Sequence, residues 1–389
     1  MGLEVEPGVA RRVRGEMRIA IFTETFVPAL DGVVTRLRST IDELLTIGDQ
    51  LLVVAPKYGE GPAYYHDVPI HRVSSVPFPP YPQVKMAFIN PGVGRALKKF
   101  APDLIHAVNP FVLGAGAPFY ARKLGLPLVA SYHTNVTTYA RFYGLGFADG
   151  AGRWHTRRIH DKADINLCTS EATREYLQGE GIKRLHVWPQ GVDTRRFHPK
   201  KSSKEWRAKL SDGHPADPLL LYVGRLGHEK NIGSLRSALD AVPNARMAFV
   251  GDGPARRELE EVFVGTPSVF LGTRRGEELA AAYASADAFV FPSTTETLGM
   301  AMIEALASGL PVIAARTDAT GEVVEDGVNG LMYEPGSADS LAGVVRRILG
   351  DEERRVRLGR GARAAAETRD WARATHTLRD YYEMALASR

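Results

Sequence analysis

The chain has 389 residues, of which 44% are hydrophobic and 24% are charged, and its formal net charge is +4. This composition is that of an ordinary globular protein; it excludes wholesale disorder and fibrous classes, and the length predicts two domains. The single cysteine, Cys168, excludes a disulfide framework and is expected to be a small core residue in a reducing compartment. No apolar run approaches the length of a membrane-spanning helix, and the charged segment before Met17, an alternative start, is unlike a signal peptide. We therefore expect a cytoplasmic protein.

Short apolar runs alternate with segments of helical period, which predicts an α/β fold of repeated βα units with two doubly wound parallel sheets. The first strand is predicted at Arg18–Thr23, with a helix from about Val33, and the last helix from Trp371 to Leu386. The polar stretch from His198 to Pro218 is predicted to be a partial linker. Further strands are predicted at Gln50–Ala55, Leu104–Ala107, Leu126–Ser131, Ile165–Thr169, Leu185–Trp188, Leu219–Val223, Arg246–Val250, Val269–Leu271, Ala288–Phe291 and Pro311–Ala314.

Two cations follow the predicted strand that ends at Val223. Arg225 lies just past the strand, and Lys230 directly precedes a helix predicted near Asn231. Ligands of open α/β sheets bind beyond the carboxyl ends of the strands, and two cations beside a helix N-terminus suit a phosphate or diphosphate. The alternative is a pair of solvated loop charges.

Two carboxylates, Glu296 and Glu304, form the second signal. Glu304 falls on the same helix face as apolar residues, where an unpaired charge is expensive, so it needs partners. Vicinal sugar hydroxyls are suitable donors, and the backbone N–H groups of Leu298 and Gly299 near the helix start suit a phosphate. For Glu304 alone, a structural carboxylate that caps a neighbouring loop is the alternative.

Weaker signals are Gly32, which allows a close approach of backbone to an anion, and His133, which follows a strand end, although a lone histidine is more often structural than catalytic. The sequence contains no Walker A motif, no nucleophile elbow, no H-E-x-x-H and no Cys-His cluster. The first strand is not followed by G-x-G-x-x-G, and Gly251-Asp-Gly253 lacks the third glycine. These absences disfavour P-loop enzymes, dinucleotide dehydrogenases, hydrolases and zinc enzymes.

The spaced motifs together resemble a known family. They are the Gly32 loop, Ser131-Tyr-His133-Thr, Gly191-Val-Asp193, Gly224-Arg225 with Glu229-Lys230, Gly251-Asp-Gly253-Pro and Glu296-x7-Glu304. In this order they resemble the retaining glycosyltransferases of family 4 from Met17 to about Tyr382. The resemblance implies the GT-B fold, in which two Rossmann-like domains face each other across a cleft. It divides the chain into an acceptor-side domain (1–195), a nucleotide-sugar domain (196–370) and a C-terminal helix (371–389) packing back on the first.

The resemblance also implies metal-independent transfer from a nucleotide diphosphate-sugar with retention and without a cofactor. The sequence has no recognised nucleic-acid motif, and its acidic strand-end residues argue against a nucleic-acid partner. Its implied catalytic residues are His133, Arg225, Lys230 and Glu296. Its implied donor-binding residues are Gly32, Arg225, Lys230, Gly272, Thr273, Arg274, Glu296, Thr297, Leu298, Gly299 and Glu304. Among these, Arg225 and Lys230 would neutralise the diphosphate, Glu304 would hold the ribose, and Glu296 would hold the transferred sugar.

Within the family, Glu296-Thr-Leu-Gly299 and Tyr283-Ala-Ser-Ala-Asp287 look most like sulfoquinovosyl- and other glycosyl-diacylglycerol synthases, although Asn135 and Thr137 depart from that branch. The expected reaction is transfer of a hexose-type sugar from a UDP-linked donor such as UDP-sulfoquinovose to a lipid such as diacylglycerol. GDP-mannose-dependent α-mannosyltransferases of glycolipid or phosphatidylinositol-type acceptors share most motifs and are the alternative. A sugar-nucleotide epimerase is the less favoured enzyme alternative, and a nucleic-acid-binding protein has only the pI near 9 in its favour.

The positive charge is uneven along the chain. Between Lys85 and Lys162, eleven Lys and Arg residues stand against three Asp residues. Two segments there mix basic and apolar side chains, which suits an anionic membrane surface on the inner face of a membrane, although an ordinary solvated helix face has the same pattern. The candidate membrane or acceptor residues are Lys85, Phe88, Lys98, Lys99, Arg141, Phe142, Trp154, Arg157 and Arg158.

Overall fold

The computed structural model describes residues 15–29, 31–59, 61–78, 81–133, 149–295 and 299–388. Backbone contacts divide the chain into two compact units. The first contains Met1–Ser131, Lys162–Ile165 and Arg379–Arg389, and the second contains Tyr132–Asp161 and Asn166–Leu378. In the described residues, no helix is both long and apolar enough to cross a membrane.

The amino-terminal part of the chain forms an eight-stranded sheet in the order β10-β9-β8-β7-β1-β2-β4-β3, parallel in its described pairings except for β3, which runs antiparallel to β4. Register places Ile19 beside Leu51 on one side and beside Leu104 on the other. Strands β7 and β8 are buried along their whole length, as expected for parallel strands covered on both faces. The strands are β1 Arg18–Thr23, β2 Gln50–Pro56, β3 Tyr64–Tyr65, β4 Val68–Val73, β7 Leu104–Val108, β8 Leu128–Ser131, β9 Ile165–Cys168 and β10 Leu185–Val187.

A hairpin, β5 (Ser75–Phe78) with β6 (Tyr81–Ala87), forms a separate two-stranded sheet. The sequence analysis predicted neither this hairpin nor β3 and β4. Their residues do not form continuous apolar runs: His71 and Arg72 interrupt β4, and prolines lie in both hairpin strands. These strands therefore lack the continuous apolar pattern that predicts a buried parallel strand.

The second unit holds a six-stranded parallel sheet in the order β13-β12-β11-β14-β15-β16. In β11 and β14 every residue is buried, and hydrophobic clusters cover both faces of the sheet. The strands are β11 Leu219–Val223, β12 Arg246–Val250, β13 Ser268–Phe270, β14 Ala288–Phe291, β15 Val312–Ala315 and β16 Gly330–Tyr333, the last not predicted.

Helices connect and cover the strands. They are α1 Gly32–Ile47, α2 Pro91–Phe100, α3 Ala117–Leu124, α4 Asp149–His160, α5 Glu171–Gly179, α6 Lys204–Leu210, α7 Arg236–Leu239, α8 Arg256–Val262, α9 Gly276–Ala284, α10 Met300–Ala307, α11 Asp318–Gly321, α12 Ala338–Leu349, α13 Glu352–Glu367 and α14 Trp371–Ala387. Short 3₁₀ turns lie at Gly114–Gly116, Pro199–Lys201, His228–Lys230 and Ile232–Leu235.

The predicted linker at His198–Pro218 is wrong, because this stretch is integrated into the second unit. It contains α6, whose Trp206 and Leu210 are buried in the core beside β11. Arg207 on the same helix donates to the carboxylate of Asp287 at 2.8 Å. The polar residues that suggested a linker lie on the exposed side of this helix and in the turns before and after it.

Candidate functional site

Three strand-end loops of the six-stranded sheet are joined backbone to backbone. The Gly224 N–H donates to the Val250 carbonyl, and the Gly251 N–H donates to the Gly272 carbonyl, both at 3.0 Å. Gly251 has φ +148°, and a Cβ there would lie 1.9 Å from the Gly224 carbonyl oxygen, so only glycine fits. This close contact fixes the loop after β11, which carries Arg225, against the loop after β12.

Arg225 forms an ion pair with Glu229 four residues later. The Glu229 side chain has no exposed surface, whereas that of Arg225 is 33% exposed. The Tyr222 hydroxyl also donates to the Arg225 carbonyl at 3.1 Å, so both the main chain and the side chain of Arg225 are held. Lys230 follows directly and is only 8% exposed. Burial argues against the alternative of two freely solvated loop charges.

The helix predicted from about Asn231 is interrupted. The prediction that a helix N-terminus contributes to a phosphate site here is therefore wrong. Asn231 has φ +52°, and after it the chain makes only the four-residue 3₁₀ turn Ile232–Leu235 and the four-residue α7. Aligned peptide dipoles add up only over a continuous helix, so such short segments contribute little positive field. The positive charge at this edge comes from the Arg225 and Lys230 side chains.

Glu304 lies on α10, partly buried, and its carboxylate accepts a hydrogen bond from the Tyr283 hydroxyl at 3.0 Å. Desolvation raises the pKa of Glu304 to about 7, and the Tyr283 hydroxyl and the charge of Arg196 offset this only in part. Further hydrogen-bond donors, such as sugar hydroxyls, would stabilise the ionised form of this carboxylate. Tyr283 is thus the hydrogen-bond partner that Glu304 was predicted to need.

Gly299 precedes α10 with φ +76°, and among the described residues no side chain caps this helix start. The predicted donor residues Glu296, Thr297 and Leu298 lie outside the described residues. The loop before them is anchored, since Thr295 Oγ1 donates to the Glu229 carbonyl at 3.4 Å. At the end of β13, Gly272 accepts the bond from Gly251, Thr273 is exposed, and Arg274 donates to the Thr273 carbonyl at 3.3 Å.

Gly32 is the first residue of α1 in the first unit. The Asp31 carboxylate before it accepts from the Val34 N–H at 2.9 Å and caps the helix. His133 follows β8, is 8% exposed, and packs edge-on against Trp188 with ring centroids 5.5 Å apart. The functional roles implied for Gly32 and His133 stay predictions.

The candidate membrane residues lie on two separate segments. In the first unit, Lys98 and Lys99 are exposed in the last turn of α2, Lys85 is half-buried on β6, and Phe88 is 64% exposed. On α4 of the second unit, Arg157 is exposed, and the Arg158 guanidinium lies 5.4 Å from the ring centre of Trp154, which is 61% exposed. Arg141 and Phe142 lie outside the described residues.

Sequence reasoning missed Tyr283 and Glu229 as parts of this site. Tyr283 was noted only as part of a family-like run, and nothing in its sequence position indicates that it meets Glu304 twenty-one residues later. Glu229 had a usable signal, because a carboxylate four residues from an arginine can pair with it.

Two family models match the chain. "Glycosyltransferase Family 4" matches residues 30–196, and "Glycosyl transferases group 1" matches residues 204–365. The sulfoquinovosyl transferase SQD2 of Arabidopsis thaliana is 38% identical over 93% of this chain and 72% of that protein. A GDP-mannose-dependent alpha-mannosyltransferase of Mycolicibacterium smegmatis is 37% identical over 96% of this chain and 99% of its own length.

An alpha-monoglucosyldiacylglycerol synthase of Streptococcus pneumoniae is 30% identical over 86% of this chain and 78% of that protein. Among solved structures, sucrose-phosphate synthase from Thermosynechococcus elongatus superposes with a TM-score of 0.81 over 96% of this chain and all of that one. At 22% identity this likeness shows the fold alone, and it confirms the predicted GT-B architecture of Rossmann-like parallel sheets.

Proposed function

We propose that this chain, which belongs to the glycosyltransferases of family 4, is a retaining, metal-independent hexosyltransferase that acts on a lipid acceptor. Our best candidate reaction transfers sulfoquinovose from its UDP-linked donor to diacylglycerol. The observation that carries the proposal is the edge of the six-stranded sheet, where Arg225 and Lys230 follow β11 and Glu304 lies on the helix after β14. The identity to SQD2 supports the choice of sugar.

In the proposed mechanism, Arg225 and Lys230 stabilise negative charge that grows on the diphosphate as the glycosidic bond breaks. Glu304 accepts hydrogen bonds from the ribose hydroxyls, and Glu296 accepts them from the transferred sugar. His133 lies near the reacting carbon. The leaving phosphate takes the proton of the acceptor hydroxyl on the face it departs from, so the anomeric configuration is retained without a covalent intermediate.

Removal of either key charge tests these roles. We expect Lys230→Ala and Glu304→Ala to lower transfer by at least about a hundredfold, the scale of lost transition-state contacts, while both variants keep the wild-type circular dichroism spectrum. Exposed Glu205, which pairs only with Lys209 on α6 among the contacts described, provides the control variant Glu205→Ala. Wild-type-like turnover of either test variant would contradict the assigned role.

The donor is tested by a screen of UDP- and GDP-sugars, read as thermal shift and nucleotide release. UDP-sulfoquinovose is expected to give the largest turnover. The second candidate is an α-mannosyltransferase that uses GDP-mannose, and it is favoured by the 37% identity to the Mycolicibacterium smegmatis enzyme over nearly the full length of both chains. Turnover with GDP-mannose alone would select this candidate instead.

The lipid acceptor is supported by the activity for which the Streptococcus pneumoniae relative is named. It is also supported by exposed basic side chains on α2, by the exposed Phe88 before that helix, and by the exposed Trp154 beside Arg158 on α4. Diacylglycerol in vesicles should be glycosylated, whereas soluble sugars should not. If only soluble acceptors react, the lipid part of the proposal is wrong.

Metal independence and retention need their own measurements. Because the two cations supply positive charge at the diphosphate, we expect full activity in excess EDTA. The product should have the same anomeric configuration as the donor in its NMR coupling constants. Loss of activity in EDTA that Mg²⁺ restores, or an inverted product, would contradict these two features.

A further inference from the structure

Glu229 is a buried carboxylate in the loop after β11, and it is not among the residues proposed to contact the donor. Its side chain has no exposed surface, and it pairs with the Arg225 guanidinium. An ionised carboxylate without surface is expensive unless charge and hydrogen bonds compensate it. Its burial therefore indicates that the pair with Arg225 has a specific role at this point of the chain.

The loop is shaped around this carboxylate. A Cβ at Gly227 would lie 2.5 Å from Glu229 Oε1 and 2.6 Å from Oε2, so the carboxylate occupies the space of a side chain at residue 227. Gly227 has φ −110°, a conformation open to any residue, so the absence of a side chain there is a matter of space and not of backbone strain. The Glu229 position is thus tightly confined.

Glu229 also links two parts of the site. Its side chain pairs with Arg225, its carbonyl accepts from the Thr295 hydroxyl at 3.4 Å, and Lys230 is its chain neighbour. In the chain, Thr295 directly precedes Glu296, the residue proposed to hold the transferred sugar. One residue therefore connects the predicted diphosphate cations with the start of the predicted sugar loop.

We propose that Glu229 is a positioning residue for nucleotide diphosphate binding, which orients the Arg225 guanidinium toward the diphosphate. This inference rests on the proposed function, because it takes Arg225 as a diphosphate ligand. Glu229 itself does not contact the donor. It restricts Arg225 to one orientation before the ligand arrives, which reduces the entropy lost on binding.

The test measures the dissociation constants of UDP and GDP by calorimetry for Glu229→Ala, Arg225→Ala and the double variant. Glu229→Ala is expected to weaken binding of the tighter nucleotide by about tenfold, the scale of one charge-assisted hydrogen bond. In the Arg225→Ala background, the same substitution should have no further effect, because the residue acts through Arg225. A merely structural role would weaken binding equally in both backgrounds.

Two further variants keep the test decisive if Glu229→Ala does not fold. Glu229→Gln retains an oxygen acceptor and should recover part of the lost affinity. Gly227→Ala keeps Glu229 but displaces its carboxylate, so it should also weaken binding, whereas Gly233→Ala, where a Cβ meets nothing within 4 Å, should not. Thermal unfolding of each variant confirms that it is folded.

The outcomes separate the two proposals. If Arg225→Ala leaves nucleotide binding unchanged, the diphosphate role of Arg225 in the proposed function fails. If Arg225→Ala weakens binding but Glu229→Ala, Glu229→Gln and Gly227→Ala do not, or if the effects of Glu229→Ala and Arg225→Ala simply add, only the positioning role is overturned.

Discussion

Glu304 is the residue whose ionisation is most closely tied to the proposed ligand. It would be neutral at pH 5 and largely ionised at pH 8, because burial raises its pKa to about 7. Donor hydroxyls of a bound ribose favour the ionised form, so nucleotide binding should release a proton from this group near neutral pH. The proposed site thereby couples ligand affinity to pH.

The stability of the free protein should change with pH in the opposite direction to ligand affinity, because it should fall as the pH rises. The folded pKa of Glu304, about 7, lies above the ordinary value of 4.5, so the folded state holds this proton between those pH values and the unfolded state does not. The stabilisation is therefore full below pH 4.5 and is lost as the pH rises through 7. The melting temperature of Glu304→Gln minus that of the wild type should rise by a few degrees from pH 5 to pH 8.

Glu205→Gln, an exposed position, is the control, and its difference from the wild type should change little over the same range. A pH-independent difference for Glu304→Gln would show that the Glu304 carboxyl titrates near its ordinary pKa.

Among the secondary-structure elements, a carboxylate directly after α11 caps α5. Glu322 directly follows α11, and its two oxygens accept from the Glu171 N–H at 2.9 Å and the Ala172 N–H at 2.6 Å. Unpaired N–H groups and the positive end of the helix dipole are concentrated in the first turn of a helix. Glu322 thus ties α5 to the segment between β15 and β16.

Substitution of this cap should cost measurable stability. We expect Glu322→Ala to lower the free energy of unfolding by about 1–2 kcal/mol, the range for loss of a helix N-cap, as measured by denaturant titration. Glu175 is an exposed carboxylate on α5 that, together with Glu322, lines a cavity of about 580 Å³, and Glu175→Ala should change stability much less. Equal effects of the two substitutions would contradict the capping role.

Secondary-structure elements were predictable where burial dominates. Strands β1, β11, β12 and β14 have the predicted boundaries, since a central parallel strand must be apolar on both faces. The edge strand β3 and the hairpin were missed, because strands with one exposed face or edge carry a weaker apolar pattern. Strand β16 was missed although its four residues are apolar and mostly buried. Helix α6 was missed because its polar face outweighs the buried Trp206 and Leu210 in composition.

For the whole molecule, the uneven charge is the property with a functional consequence. The segment from Lys85 to Lys162 holds an excess of positive charge, while the rest of the chain is slightly acidic. Attraction of Lys and Arg to an anionic bilayer amounts to about 1 kcal/mol per residue near the surface and is screened by salt. Any membrane association should therefore be strongest at low ionic strength.

Sedimentation with anionic vesicles tests this expectation. The protein should co-sediment in low salt and dissociate in roughly 0.5 M salt, where screening acts within a few ångströms. Lys98→Glu/Lys99→Glu should reduce the bound fraction several-fold. Lys200→Glu/Lys204→Glu, the same charge change at exposed positions outside the segment, should reduce it much less. Failure of the wild type to sediment at low salt would refute membrane docking.

The βα alternation, the family and the types of charged residue that follow each buried strand were all predictable from the amino-acid sequence. These features are local: apolar runs and strand-end loops are contiguous in the chain, so they can be read without coordinates. The tertiary structure decided which partners these charges have. Tyr283 reaches Glu304 across 21 positions and Glu322 reaches Ala172 across 150, and such contacts depend on how helices pack on the sheet. Arg225 and Glu229 are only four residues apart in the chain, but the sequence does not show that Glu229 is buried. Its burial depends on how the core packs beneath the loop.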